Sequence, residues 1–188
     1  MNGMQYIAEL TMLLSQDRWR MEALDAVRIL HLNDGWIGAG FVRNAVWDHL
    51  HGYADSEVAN DIDVIWFDGC ELAYETDVSI EQKLKVCLPA LDWSVKNQAR
   101  MHLRNGDQPY ISVADAMCNW PETATATAVR IGDNGNLEVL APFGLDDLFT
   151  MRLRPTPRFA SEKHHIFQQR LADKRWLARY PMLQILPG

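Results

Sequence analysis

The chain has 188 residues, 48% of them apolar and 23% charged, with a formal net charge of −7. This balance is too apolar for a disordered chain, and no run reaches the ~18 apolar residues a membrane helix needs, so we expect a globular protein with no membrane partner. An acidic chain is also a poor general nucleic-acid binder, because phosphate contacts supply most of that affinity. The N-terminal MNGMQYIAEL has no basic start and no apolar core, so it does not read as a secretory signal. Cys70, Cys87 and Cys118 are widely spaced, form no CxxC pair and point to a reducing cytoplasm. The length suits one domain over 1–188, with N-terminal helices over 1–35, a core over 36–150 and a basic C-terminal helix over 151–188.

In chain order, residues 4–14 are apolar without Gly or Pro and predict a short helix. Asp17 can cap a second helix reaching about His31, with Met21, Leu24, Val27 and Leu30 on its apolar side. Asn33-Asp34-Gly35 is a turn signal. Trp36–Gly38 reads as a short strand, Gly40 opens a helix over Phe41–His51, and residues 61–67 (DIDVIWF) read as a strand. A helix around Ile80–Cys87 stops at Pro89. Leu91–Lys96 predicts a strand, Asn97–Arg104 a helix and Ser112–Cys118 another. The alternating TATATAVRI of 123–131 predicts a strand, Asp133–Asn136 a hairpin turn and Leu137–Leu140 the returning strand. Leu145–Met151 starts a helix, and Ser161–Arg179 reads as the last one. Hairpins mixed with helices, without regular βαβ repeats, predict α+β.

Between Arg152 and Tyr180 stand eight basic residues opposed only by Glu162 and Asp173. This stretch is either a helix whose charged face is solvated or docks on the acidic body, or a holder of phosphates, RNA among them.

Chemistry concentrates in residues 37–64, IGAGFVRNAVWDHLHGYADSEVANDIDV. A strand enters a Gly38-Ala39-Gly40 turn, a helix carrying Arg43 follows, and a second strand presents Asp61 and Asp63. Strand side chains alternate, so the two carboxylates share a face while Ile62, Val64 and Trp66 take the other. Two such carboxylates repel unless a cation lies between them, and oxygen ligands of this kind suit Mg²⁺ together with phosphate oxygens and water. Glycines allow close backbone approach, free N–H groups at a helix N-terminus bind phosphate, and the Arg43 fork can reach the same anion.

The string G-A-G-F-V-R-N followed by D-I-D-V resembles the head domain of the DNA polymerase beta-like nucleotidyltransferase superfamily, and particularly the G-G-x-x-R-D…D-x-D arrangement of tRNA CCA-adding enzymes. Ala39-Gly40 falls where the paired glycines stand, Arg43-Asn44 where Arg-Asp stands, and Asp61 and Asp63 where the metal carboxylates stand. More closely, Asn60–Val64, Val95–His102, Trp120–Thr125 and Ala141–Leu145 resemble a family of small stand-alone bacterial nucleotidyltransferase-like proteins. The resemblance implies a mixed or antiparallel sheet with helices mainly on one face, Mg²⁺ (or Mn²⁺), and a nucleoside triphosphate in the cleft. It implies Gly38, Ala39, Gly40, Arg43 and Asn44 as nucleotide contacts, and transfer of a nucleoside monophosphate to an acceptor that it does not identify.

The superfamily usually adds a third acidic residue on a neighbouring strand, and in the small family Asp or Glu commonly stands where this chain has Ser94. Asp92 lies on the same face, two residues or roughly 6.6 Å away, and is the other candidate for that place. Loss of this carboxylate implies an alternative, a catalytically impaired nucleotide-binding module acting as a sensor or complex subunit. Asn97 and Arg100 are either substrate contacts at the strand end or a helix cap and a surface residue. CCA-adding enzymes carry further helical domains for tRNA, whereas about 35 residues follow the head-like segment here. The basic C-terminal stretch is therefore the one candidate for an RNA contact.

Overall fold

The structure is a computed structural model that describes residues 3–53 and 61–187. Residues 54–60, including Asn60 of the family-like segment, lie outside the described residues, as do the outermost residues of the expected 1–35 and 151–188 segments.

Helix α1 (Gly3–Ser15) turns Tyr6, Leu10 and Leu14 inward at helical spacing. Helix α2 (Arg18–Arg28) is capped by Asp17, whose carboxylate accepts from the Arg20 backbone N–H at 3.2 Å. There follow β1 (Trp36–Gly38), α3 (Gly40–Leu50), β2 (Ile62–Trp66), α4 (Tyr74–Cys87) and β3 (Trp93–Asn97). A 3₁₀ turn at Gln98–Arg100 runs into α5 (Met101–Asn105), and α6 spans Val113–Cys118. The hairpin β4 (Ala128–Ile131) and β5 (Leu137–Leu140) precedes α7 (Asp146–Phe149) and β6 (Arg152–Leu153). The chain closes with α8 (Pro157–Ala160), α9 (His164–Lys174), α10 (Trp176–Arg179) and β7 (Gln184–Ile185).

The main sheet has the order β3-β2-β1-β4-β5; β2 and β3 run parallel and the other neighbours antiparallel. A two-stranded parallel ribbon joins β6 to β7. The pleat sorts side chains onto two faces. Ile37, Ile62, Val64, Trp66 and Val129 enter the larger core with the apolar sides of α1 to α4. Trp36, Ile65 and Ala128 turn the other way, against Val113 and Met117 of α6. Helices thus pack mainly on one face of a mixed sheet, the α+β arrangement expected, and the thinly covered face is free for a site.

Several elements differ from the sequence reading: the expected C-terminal helix of 151–188 also holds β6, α8 and β7, and three other elements depart from it as well. The Thr-Ala alternation is a strand only from Ala128. Before that, the N–H groups of Thr125 and Ala126 both reach back to the Glu122 carbonyl, and the hydroxyls of Thr123 and Thr125 bond Asp147 and Arg43. The last helix is split by Arg175, which sits at φ +48° with neither Gly nor Pro beside it to announce the break. Helix α4 begins at Tyr74 rather than near Ile80, because Asp77 in its first turn is buried and accepts from Trp66 Nε1 and the Asn97 N–H.

Candidate functional site

Strand β1, in the middle of the sheet, delivers the chain into the Gly38–Gly40 turn. The Ala39 N–H donates to the Thr127 carbonyl at 3.1 Å, and Ala39 takes φ +53°, ψ −122°, a region that L residues seldom occupy. Gly38 is enforced by packing, since a Cβ there would lie 3.2 Å from both Ala128 Cβ and the Thr127 oxygen. Gly40 is not, for a Cβ there would meet nothing nearer than Arg43 Nη2 at 3.5 Å. Its missing side chain instead leaves the first turn of α3 open, where backbone N–H groups have no side-chain cap.

Beneath this turn lies Arg43, 8% exposed. Its Nε and Nη2 donate to Asn44 Oδ1 at 3.2 and 2.9 Å, and Nη1 donates to Thr125 Oγ1 at 3.1 Å. Its guanidinium carbon lies 5.2 Å from the Trp47 ring centroid and 4.9 Å from that of Trp176. Among the described residues no carboxylate comes within ion-pair distance of it. Burial draws its pKa down to about 10, against the pull of nearby Glu122. A buried guanidinium held by neutral partners leaves positive potential for an anion at the turn above it.

Asp63 projects from β2 onto the thinly covered face, its side chain 27% exposed; Asp61 stands exposed one residue before the strand. Burial pushes the Asp63 carboxyl above its ordinary value; Lys96 opposes the shift and Asp61 adds to it. In the parallel register Ser94 lies beside Asp63 and Lys96 beside Ile65. Lys96 Nζ donates to Ser94 Oγ and lies 3.4 Å from Asp63 Oδ1. Asp92 is exposed at the entry to β3, where its carbonyl accepts from the Ile62 N–H at 2.8 Å. The pair Asp61 and Asp63 offers the hard oxygen donors a single Mg²⁺ takes alongside phosphate and water, so these residues fit such an ion. Among the described residues no group of three His, Cys, Asp or Glu side chains is arranged to hold a metal.

A cavity of about 490 Å³ opens over this face, within the size range of ligand sites. Ala39 and Asp63 lie on its wall with four cations, Lys96, Arg104, Lys163 and Arg170, while Trp120 and Phe159 add aromatic surface. A basic hollow in an acidic chain is the electrostatic signature of a site for a compact polyanion. Another cavity, about 500 Å³, lies between α2 and the β4–β5 hairpin; neither Asp63 nor the Gly turn lines it, and Asp61 lines neither cavity. We assign the site to the former, because that is where the carboxylate, the turn and the cations meet.

Asn97 and Arg100 do not line this cavity. Asn97 is fully buried; its Oδ1 accepts from the Ala99 and Asp68 N–H groups and its Nδ2 donates to the Asp68 and Glu71 carbonyls. Arg100 donates to buried Asp77. The structure thus gives both to the support of the β3 end, and gives Asn44 to the orientation of Arg43.

Sequence reasoning held Lys163 and Arg170 only as members of a basic stretch and did not join them to the Gly38–Asp63 site. Both come from the basic C-terminal stretch, which docks on the acidic body as the first of its two readings expected. Arg170 forms a fork with fully buried Glu122, Nε to Oε1 at 2.6 Å and Nη2 to Oε2 at 3.2 Å. Lys163 and Arg158 both donate to Asp107, Arg154 pairs with Asp147 and Arg179 with Asp48. Burial alone would raise the Asp107 carboxyl, but the bonds from Lys163, Tyr110 and Arg158 hold it below its ordinary value. The Trp120–Thr125 loop is the hub: Glu122 holds α9, Thr123 bonds Asp147 and Thr125 bonds Arg43. Its unusual density of side-chain acceptors was the one sequence signal available for this role.

A nucleotidyltransferase family model matches residues 25–185. A structure solved by NMR and reported to reveal a CCA-adding enzyme head domain is 34% identical, with a TM-score of 0.83, covering 94% of this chain and 95% of that one. Two CCA-adding enzymes share the fold at lower identity. One in complex with CTP is 12% identical with a TM-score of 0.61, and 95% of this chain covers 43% of it. One from Thermotoga maritima in complex with tRNA is 15% identical with a TM-score of 0.58, and 95% of this chain covers 42% of it. The chain therefore spans less than half the length of those enzymes. No curated protein matches it significantly.

Proposed function

The chain belongs to the nucleotidyltransferase family, and from that premise we propose that it transfers a nucleoside monophosphate from a nucleoside triphosphate to an acceptor hydroxyl with the help of Mg²⁺. One observation carries this reading: Ala39 of the turn over Arg43, the carboxylate Asp63 and four cations border one cavity. Relatives that share the fold include proteins solved with CTP and with tRNA, which fits a triphosphate in this cavity.

The roles follow from the chemistry. The N–H of Gly40 at the uncapped start of α3, with the Arg43 charge beneath it, binds the β- and γ-phosphates. Lys163 and Arg170 on the opposite wall neutralise the same phosphates. Asp61 and Asp63 would hold the metal, which when bound polarises the phosphate oxygens. The acceptor oxygen forms a bond to the α-phosphorus as the bond from α-phosphorus to the bridging β-oxygen breaks. Pyrophosphate leaves, and the acceptor proton passes to solvent. A cytoplasmic location belongs to the same reading, since all three cysteines are free.

Arg154, Arg158 and Arg179, the paired basic residues of that stretch outside the cavity, are taken up by body carboxylates, which leaves less of it for an extended RNA backbone and favours a small or protein acceptor over tRNA. A second reading is favoured by Ser94, namely a nucleotide-binding module without transfer. Incubation with each α-³²P-labelled triphosphate, Mg²⁺ and fractionated cellular acceptors separates them. Transfer of label with release of pyrophosphate, lost in Asp61→Asn/Asp63→Asn, supports the enzyme. Transfer unaltered by that double variant contradicts it. Transfer that emerges only in Ser94→Asp favours the binding module.

A further inference from the structure

Side-chain charge at the β2–β3 edge has a pattern of its own. Ser94 occupies the register position beside Asp63, so a carboxylate at 94 would face Asp63 across the two strands. Lys96, two residues on and on the same face, fills that space instead, with Nζ bonded to Ser94 Oγ and 3.4 Å from Asp63 Oδ1. Two divalent ions held close together repel, and stay only where several anionic oxygens bridge or flank them. Here the flanking oxygens come from two carboxylates, one of them already in contact with an ammonium, and among the described residues no third carboxylate completes a metal-holding group.

We propose that Lys96 is a built-in cation standing in the share of the site that a second divalent ion would need, so that Asp61 and Asp63 take a single divalent ion and Lys96 competes with it for Asp63. This inference rests on the reading of Asp61 and Asp63 as metal carboxylates. It gives Lys96 a positioning role: the ammonium holds Asp63 and supplies fixed positive charge on the cavity wall.

The test needs neither nucleotide nor turnover. The full chain is titrated with Mn²⁺ alone and free Mn²⁺ is counted by electron paramagnetic resonance. The native chain takes one ion. Lys96→Met, which keeps the aliphatic stem but removes the charge, still takes one and binds it about tenfold more tightly. Lys96→Arg stays near the native affinity. Ser94→Glu/Lys96→Met takes two. Lys96→Gln repeats the charge removal should the Met variant melt early. Two ions on the native chain, or affinity unchanged in both Lys96→Met and Lys96→Gln while Asp61→Asn/Asp63→Asn abolishes binding, overturns the role of Lys96 alone. Native-like binding by Asp61→Asn/Asp63→Asn, or no binding by any variant, overturns the carboxylate reading and this inference together.

Discussion

Replacing Glu122 by Gln isolates the contact that ties the C-terminal helix to the site. Glu122 is fully buried and both its oxygens engage the Arg170 fork, whose side chain is 30% exposed. Removing one partner of a fully buried ion pair costs about 3–5 kcal/mol, because the other charge stays behind unneutralised. Water reaches part of Arg170, and the Gln oxygen keeps one of the two bonds. The loss should therefore fall to about 2–3 kcal/mol, in line with a charged hydrogen bond. For a chain of this length each kcal/mol shifts the midpoint by about 2–4 °C, so thermal unfolding should show a fall of about 5–10 °C. Glu122→Gln/Arg170→Met should recover part of that fall, since the stranded guanidinium is gone. A Glu122→Gln midpoint within 1 °C of native, or two variants that add to within ~0.5 kcal/mol, would refute the argument that this pair is coupled and anchors the helix.

Other outcomes follow from the same structure. Gly40→Ala, for which there is room, should keep or slightly raise the melting point, by up to about 1 kcal/mol from helix propensity, while weakening triphosphate binding at least tenfold; unchanged affinity would mean that the turn does not face the phosphates. Gly38→Ala should cost about 1–3 kcal/mol through its clash with Ala128 and Thr127, and calorimetry of the two variants side by side checks the contrast. Arg43→Met should leave the ligand-free midpoint equal or higher, since burial disfavours the charge, yet lose the triphosphate-induced shift; a large drop in ligand-free stability would assign Arg43 to the fold instead. Because its folded pKa is raised, ionised Asp63 opposes folding above that pKa, and the penalty vanishes as pH falls below the ordinary carboxylate value. Metal-free Asp63→Asn should thus melt slightly higher than native at pH 7 and lose that advantage by about pH 4. A gain that persists at acid pH would point to a cause other than ionisation.

Local signals carried most of the architecture. The Asp17 and Ser112 caps, the Gly52 and Gly135 stops, and the alternation of DIDVIW each depend on neighbours within a few residues, so the starts of α2, α3 and α6 and strand β2 could be read directly from the chain. The Gly38–Gly40 turn, Arg43 and the carboxylate pair were legible for the same reason. What escaped depends on distant partners. The TATAT segment has a true strand alternation, yet Thr123 and Thr125 are claimed by Asp147 and Arg43 from other elements. Arg175 breaks a helix without any breaker residue. Lys163 and Arg170 enter the site from more than 100 residues beyond Asp61, and nothing local distinguishes them from a solvated helix face. Asn97 and Arg100, polar and next to the site strand, are turned inward by the loop that leaves β2 and by Asp77.

The central claim is tested most directly by thermal unfolding of the native chain and of Asp61→Asn/Asp63→Asn with ATP, CTP, GTP and UTP, each with and without Mg²⁺. A triphosphate at 100 times its Kd should add roughly 2.7 kcal/mol and raise the midpoint by about 5–10 °C. The account predicts a Mg²⁺-dependent rise with at least one nucleotide, lost in the double variant. No rise with any triphosphate, or the same rise when both carboxylates are gone, would contradict it.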